Sequence, residues 1–347
     1  MLLLAIESSC DETSAAVVRD GRQVLSNIIA SQVDVHARYG GVVPELASRK
    51  HVEAISVVID QALETAAIGL EAVEGIVVTR GPGLIGALLV GLSVAKAIAF
   101  AREIPLVGVH HIEGHILASL LEEEISFPYL ALAVSGGHTH LYRVDGIGRY
   151  VLLGRTIDDA AGEAFDKVAK MLGLPYPGGG LIDRLASGGN PEAIPFPRPL
   201  LHQKNLDFSF SGMKTAVLNY VKKQDGPIQG DHLHDLAASF QAAVVDVLCQ
   251  KTLRAAEEQG LGRIVVAGGV ACNSGLRTRL HALGREKGLD IHFPSPVLCS
   301  DNAAMLAVAG DCYLRAGISE PLDLNALASW PLDRAGREKW HPGEAKS

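Results

Sequence analysis

The chain has 347 residues, 48% of them hydrophobic and 20% charged, a composition that supports two globular domains with substantial cores and excludes disorder. Its formal net charge of -8 argues against an autonomous nucleic-acid binder, because non-specific affinity for nucleic acid rests on neutralised phosphates. An RNA partner then needs a local basic patch or help from another subunit.

The opening MLLLAIESSCDETS has no basic segment and turns polar after six residues, which is not the pattern of a secretory signal, so the cytoplasm is expected. Five cysteines, Cys10, Cys249, Cys272, Cys299 and Cys312, are odd in number and lack Cys-x-x-Cys pairing. They are expected to be reduced and structural.

Apolar residues 2–6, a polar turn over 7–14 and apolar residues 15–18 predict a hairpin. Pro44 suits the first turn of an amphipathic helix whose apolar positions Val52, Ile55, Ile59 and Leu63 follow helical spacing. A strand over 75–79 runs into Arg80-Gly81-Pro82-Gly83, a turn whose free amides would favour an anion or which simply permits a tight bend. Residues 84–101 are the most apolar stretch, but Gly86, Gly91, Ser93 and Lys96 interrupt it. A helix buried in an α/β core is predicted there rather than a membrane span.

Residues 109–115 read VHHIEGH. His111 and His115 stand four apart, so on a helix both rings project from one face within reach of one metal ion; two histidines on a half-exposed helix would look the same. Glu113 is two residues beyond the first histidine rather than next to it, which leaves a His-Glu-x-x-His peptidase without its general base.

A second hairpin follows, with strands over 129–134 and 139–144 around the turn Ser135-Gly136-Gly137-His138. Two similar hairpins opening two halves predict a duplicated fold with a cleft between the copies. Asp158 or Asp159 can cap a helix through Leu172 that buries Phe165, Val168 and Ala169. Within it Glu163/Lys167 and Asp166/Lys170 are spaced as ordinary surface ion pairs. After the loop Pro175–Gly180 come an irregular Pro-rich stretch, a long helix over 233–258, a strand over 264–267, and the turn Gly268-Gly269. Asn273 then caps a helix over 275–287, and Asp301 heads an alanine-rich helix, for which it is a good N-cap. Basic residues gather locally at Arg198, His202 and Lys204, and at Arg277, Arg279, Arg285 and Lys287.

Strand, helix and hairpin alternate in both halves, so the fold class is α/β in two lobes. The Ser/Gly-rich hairpin turns and the Ala267–Val270 turn can receive a nucleotide. Neither Gly-x-G-x-x-Gly nor a P-loop is present, which disfavours Rossmann and P-loop readings.

This ordered set resembles the actin, sugar-kinase and heat-shock-chaperone superfamily, which implies two ribonuclease-H-like lobes with a nucleotide cleft between them. Val134 stands where those phosphotransferases carry Asp at the second hairpin, so a reaction other than phosphoryl transfer is expected. LAIESSCDETSAA, SQVDVHARYGGVVPELASRKH, GPGLIGALLVG, HHIEGH, VSGGHTH, TIDDAAGEAFDKVAK, YPGGG, FSFSGMK, AGGVACN and SDNAAM together resemble the bacterial TsaD family, the transferase of tRNA threonylcarbamoyladenosine synthesis. The chain departs from that pattern at His140, where Gln stands in some relatives, and at Cys272, where a small residue such as Ala is common.

The resemblance implies lobes over 1–122 and 123–300, the latter with a helical insertion, and a segment 301–347 returning to the first. It implies that His111, His115 and Asp301 hold one divalent metal, with Fe(2+) favoured and Zn(2+) possible. Val134, Ser135, Gly136, Gly137 and His138 are assigned to the acyl and phosphate end of the substrate, and Asp166, Gly179, Asp183 and Asn273 to the nucleoside. The implied reaction moves threonylcarbamoyl from threonylcarbamoyl-AMP to N6 of the adenosine beside the anticodon, with adenylate or ATP in the cleft and no enzyme nucleophile. Cys10 is read as a packed thiol. Implied partners are tRNA, a TsaB-like paralogous subunit, a TsaE-like ATPase and a separate synthase supplying the adenylate, with no membrane. Competing readings are a small-molecule carbamoyl- or phosphotransferase, a metallopeptidase, and a chaperone-like scaffold.

Overall fold

The computed structural model describes residues 1–340, and side chains through residue 336. In chain order the elements are β1 (Leu2–Glu7), β2 (Glu12–Arg19), β3 (Gln23–Ser31), α1 (Val33–Ala37), α2 (Pro44–Thr65), β4 (Gly75–Gly81), α3 (Ile85–Arg102), β5 (Leu106–His110), α4 (His111–Leu117), β6 (Tyr129–Val134), β7 (Thr139–Gly146) and β8 (Arg149–Arg155). They continue as α5 (Ala161–Met171), α6 (Gly179–Ala186), α7 (Ser211–Lys222), α8 (Asp231–Gln259), β9 (Arg263–Ala267), α9 (Ser274–Lys287), β10 (Asp290–His292), α10 (Pro296–Cys299), α11 (Ala307–Arg315) and α12 (Leu332–Trp340).

Two compact units result. The first holds residues 1–127 and 145–150 and the chain from Pro294; the second holds 128–144 and 151–293. The chain thus rejoins the first unit at Pro294, and a short piece of the β7–β8 hairpin also belongs there. Of the segment 301–347, residues 341–347 lie outside the described residues.

The first sheet has the order β3-β2-β1-β4-β5 and the second, read from its other edge, β8-β7-β6-β9-β10. Each places an antiparallel hairpin partner on one side of its first strand and a parallel strand on the other: β1 with β2 and β4, β6 with β7 and β9. The duplication expected from the two hairpins is therefore one of topology.

Alternation sets the layers of the first unit. Leu3, Ala5, Val77 and Val109 face Leu117, Met305, Leu306 and Tyr313, while Leu4, Ile6, Ile76 and Val78 face Ile55 and Val58 of α2 and Leu88 and Leu92 of α3. Both faces are covered, which is why these strands read as continuous apolar runs. The buried strip of α2 is Ala47, His51, Ile55, Val58, Ile59 and Ala62. Val52, predicted to be on that face, is 65% exposed. A buried polar His51 in the strip, hydrogen-bonded to Thr13 Oγ1 at 2.8 Å and to the Cys10 carbonyl at 3.0 Å, hides the true face from hydrophobic periodicity.

Helix α3 is long and apolar enough to cross a membrane by length and composition, yet it packs on α2 and β4. It is only half-buried rather than enclosed: Ala87, Leu88, Gly91, Leu92, Ala95 and Ala99 are covered, but Ile85, Leu89 and Phe100 are exposed. Before α5 neither Asp158 nor Asp159 is the cap; that position is Ala160. Asp158 instead accepts hydrogen bonds from Ser209 Oγ, Phe210 N and Ser211, and Asp159 pairs with Lys167 and Lys214. Apart from Lys167, those partners are about fifty residues downstream, so local sequence could not announce them.

Candidate functional site

In the first unit, β5 passes directly into α4, and His110 caps the turn: its Nδ1 accepts from Ile112 N at 3.1 Å while Nε2 donates to the Trp330 carbonyl at 2.7 Å. This delivers the next residue, His111, into the site. His111 and His115 meet edge to face with ring centroids 4.7 Å apart. Asp301 Oδ1 lies 3.0 Å from His115 Nε2 and 3.6 Å from His111 Nε2. One ligand atom from each of these three residues lies within 4.8 Å of the others, a spread that a single cation can draw together.

The Nδ1 side of His111 faces Glu7 Oε2 at 3.3 Å and Ser9 Oγ at 3.1 Å. A carboxylate accepting that N–H leaves Nε2 as a lone-pair donor and orients the ring, the usual support for a metal-bound histidine. Glu7 is fully buried and further tied to Thr79 Oγ1 and Ser9 N. Burial favours neutral Glu7, but the charge and hydrogen bond of His111 outweigh it and hold the carboxyl below its ordinary value. Burial likewise opposes charge on His111, while Asp301 and Glu7 raise its pKa to about 9. Two acids thus concentrate negative potential where the histidines converge. The donor set, two imidazoles and one carboxylate, suits a divalent transition metal with coordination positions left open.

Asp301 is not the cap of the following helix. Asn302 Oδ1 accepts from Met305 N at 3.1 Å in the 3-10 turn that follows, and the cap position of α11 is Leu306. Local sequence made the cap the simpler use of Asp301; the structure leaves its carboxylate beside the two histidines instead.

The second unit contains a pocket of about 260 Å³ at which Gly136, Asp166, Gly179, Asp183 and Asn273 meet. Asp166 Oδ1 accepts from Gly178 N at 2.8 Å and Gly179 N at 3.2 Å, so it ties the glycine loop to α5. Asp183 accepts from Ser274 Oγ at 2.8 Å. Asn273 caps α9 through Leu276 N at 2.9 Å and donates to Gln241 Oε1 at 2.7 Å. Val134, Ser135, Gly137 and His138 are outside this lining. Val134 is fully buried, and at Gly136 and Gly137 the space a Cβ would take is open. The turn itself closes through Ser135 N to the His138 carbonyl at 2.8 Å.

Sequence reasoning missed Gly162, Phe165, Pro177, Gly180 and Cys272 in the lining. Phe165 was read only as core. At Gly162 a Cβ would sit 2.6 Å from the Ser135 carbonyl, so a glycine at the start of α5 lets the helix meet the hairpin turn. At the Arg80–Gly83 turn, by contrast, the amides that follow Pro82 are already engaged. Gly83 N donates to the Ala328 carbonyl and Leu84 N to Ser9 O at 2.8 Å, and a Cβ on Gly81 would meet the Leu327 carbonyl at 2.0 Å.

The model of the family described as TsaD, tRNA N6-adenosine threonylcarbamoyltransferase, matches residues 23–308. The chain belongs to the TsaD family. A relative from Syntrophotalea carbinolica named tRNA N6-adenosine threonylcarbamoyltransferase is 72% identical over 97% of this chain and 98% of its own. One of the same name from Geobacter metallireducens is 67% identical over 96% and 98%. Among solved structures, full-length HypF in its phosphate- and nucleotide-bound form aligns with TM-score 0.60 at 14% identity, over 90% of this chain and 46% of that one. Component A of (R)-2-hydroxyglutaryl-CoA dehydratase from Acidaminococcus fermentans aligns with TM-score 0.54 at 15% identity, over 89% and 96%. At such identities the likeness concerns the fold, that of the actin, sugar-kinase and heat-shock-chaperone superfamily.

In this TsaD family member Glu113 is a structural anchor. Its Oε1 accepts from Tyr313 OH at 2.6 Å, Tyr150 OH at 2.8 Å and Gly148 N at 3.2 Å, and burial with Glu113 alongside pushes the Tyr313 phenol far up. A carboxylate so engaged is no base for a peptidase. The Cys10 thiol is also pushed far up, by burial and then by Asp11 and Asp301, which makes it a poor nucleophile.

Proposed function

We propose that this chain transfers the threonylcarbamoyl group of threonylcarbamoyl-AMP to N6 of the adenosine 3′-adjacent to the anticodon, in tRNAs reading codons that begin with A. The observation that carries this reading is the near-full-length likeness to relatives named tRNA N6-adenosine threonylcarbamoyltransferase. The amine lone pair forms the new N–C bond at the carbamoyl carbon. The C–O bond to the phosphate breaks, AMP leaves with that electron pair, and the N6 proton passes to solvent.

The residues are suited to those tasks. Asp166 and Asp183 can accept ribose hydroxyl protons, Gly179 and Gly269 leave room for the nucleoside, and Gly136 and Gly137 in the hairpin turn can offer amides to the phosphate and acyl end. His111, His115 and Asp301 would hold one divalent metal, Fe(2+) in preference to Zn(2+), with Glu7 orienting His111. Such a cation supplies Lewis-acid stabilisation of negative charge at the acyl group. The partners we assign are tRNA, a TsaB-like subunit and a TsaE-like ATPase, with the adenylate made by a separate synthase, all in the cytoplasm and without a membrane.

The test is nucleoside mass spectrometry of unmodified tRNA incubated with the chain, threonylcarbamoyl-AMP and the two partners. Threonylcarbamoyladenosine is the expected product. Carbamoyl or phosphoryl transfer to a small molecule, with no change in tRNA, would replace this reading by the rival transferase.

A further inference from the structure

Helix α8 contributes no residue to the lining of the nucleoside pocket, yet it stands behind two of its walls. Phe240 meets Phe165 edge to face, with ring centroids 5.3 Å apart, and Phe165 lines the pocket. The next residue, Gln241, is buried in spite of its polar side chain. Its Oε1 accepts from Asn273 Nδ2 at 2.7 Å, and Asn273 is a second lining residue. A buried carboxamide in the middle of a long helix costs desolvation that a methionine of similar length would avoid, so its partner matters.

The orientation of Asn273 follows by elimination. The backbone amide of Leu276 can only donate, and Asn273 Oδ1 receives it at 2.9 Å as the cap of α9. Nδ2 is then the end that faces Gln241, and Gln241 must present its oxygen. A primary carboxamide nitrogen carries two hydrogens. Gln241 takes one, and because Asn273 lines the pocket the other is left for the nucleoside.

The neighbouring residues fit this arrangement. A Cβ at Gly275 would stand 2.8 Å from Gln241 Nε2 and 3.3 Å from Asn273 Oδ1, so a side chain there would crowd both carboxamides. Ser274, between Asn273 and Gly275, gives its N–H to Asp183 Oδ2 at 3.1 Å and its hydroxyl to Asp183 Oδ1 at 2.8 Å. The first turn of α9 thus sets two of the pocket's polar groups, and α8 holds one of them in place. Without Gln241 the cap bond would remain, but the Asn273 amide plane would be free to turn about it.

We propose that Gln241 is a positioning residue for the nucleoside: it holds the Asn273 carboxamide so that one Nδ2–H meets a hydrogen-bond acceptor of the bound adenosine moiety. That the ligand is an adenylate rests on the function proposed above.

AMP is the probe for the test. Its affinity is measured by calorimetry for the wild-type chain, Gln241→Met, Gln241→Glu, Asn273→Asp and the double variant Gln241→Met/Asn273→Asp, with melting temperatures alongside. KM for threonylcarbamoyl-AMP and kcat are measured with tRNA and the partners present. Methionine keeps the length of the side chain without an acceptor, whereas glutamate keeps the acceptor, with Arg279 lining the same hollow behind it. We expect Gln241→Met to bind AMP about five- to tenfold more weakly, the loss of one hydrogen bond, and to raise KM while kcat holds. Gln241→Glu should restore the wild-type affinity. Asn273→Asp keeps the cap and loses the N–H, so it should weaken AMP binding at least as much, and adding Gln241→Met to it should cost nothing further. Unchanged AMP affinity in Gln241→Met, whatever its melting temperature, would overturn the proposal, as would a double variant in which the two losses add. A wild-type chain that binds no AMP would overturn it too. Should wild type bind AMP with this ranking of variants yet form no threonylcarbamoyladenosine, the positioning role stands and the assigned reaction fails.

Discussion

Asp301 can serve as a ligand because the helix it was expected to head begins only at Ala307. Asn302 Oδ1 takes the Met305 amide, and the Asp301 carboxylate stays beside His111 and His115. His111→Ala with His115→Ala should therefore abolish the roughly one metal per chain expected in the purified protein, as read by elemental analysis; full metal content in that variant would remove the site. Glu7→Gln keeps the size of the residue but removes the charge behind His111. It should weaken metal binding about 10–100-fold in chelator competition without emptying the site. His140 offers a pH test away from the metal. Burial, then Arg155, depresses its pKa to about 4, below the ordinary value near 6.5. Between those limits the unfolded chain binds the proton more readily, so stability should fall as pH drops from about 6.5 to about 4. His140→Gln should flatten that part of the profile by roughly 2 kcal/mol, after discounting for a ring that is partly exposed. Urea titrations of both proteins at several pH values would show it, and parallel profiles would acquit His140.

At the scale of elements, α5 shows how one carboxylate serves packing and binding together. Asp166 has the spacing of a surface ion-pair residue, yet it holds the amides of Gly178 and Gly179 and lines the pocket. Asp166→Ala should cost about 1–2 kcal/mol of stability, because two loop amides lose their acceptor. It should also lower adenylate affinity by tenfold or more. Calorimetry and thermal melts separate the two: unchanged nucleotide affinity with lowered stability would make Asp166 a loop tether only. Helix α2 carries the complementary lesson. Its period was legible but its buried face was displaced, because His51 occupies a core position through hydrogen bonds to a hairpin distant in sequence.

For the whole molecule, duplication and charge point the same way. Each unit repeats a five-stranded topology, and the net charge of -8 leaves only local basic surface for a polyanion. On the first unit Val52, Val57, Ile85, Leu89 and Phe100 remain exposed, more apolar surface on α2 and α3 than scattered single residues account for. We expect the isolated chain to modify tRNA poorly at physiological salt and a TsaB-like subunit to raise both binding and turnover. Efficient multiple turnover by the chain alone would show the dependence to be wrong.

The hairpins, the order of strands and helices, the His111/His115 spacing and the family resemblance were all legible in the sequence, because each is encoded within a few residues of chain or in motifs in fixed order. Helix caps and faces were less so. Whether Asp158 caps a helix or pins a segment fifty residues away, whether Gly83 and Leu84 offer their amides or spend them on Ala328 and Ser9, and whether Asp301 heads a helix or faces two histidines depend on groups brought together only by folding. A carboxylate or an amide has the same local appearance whichever partner it finds. Tertiary structure decides the partner, because each buried donor and acceptor must be satisfied by whatever the fold places within about 3 Å of it.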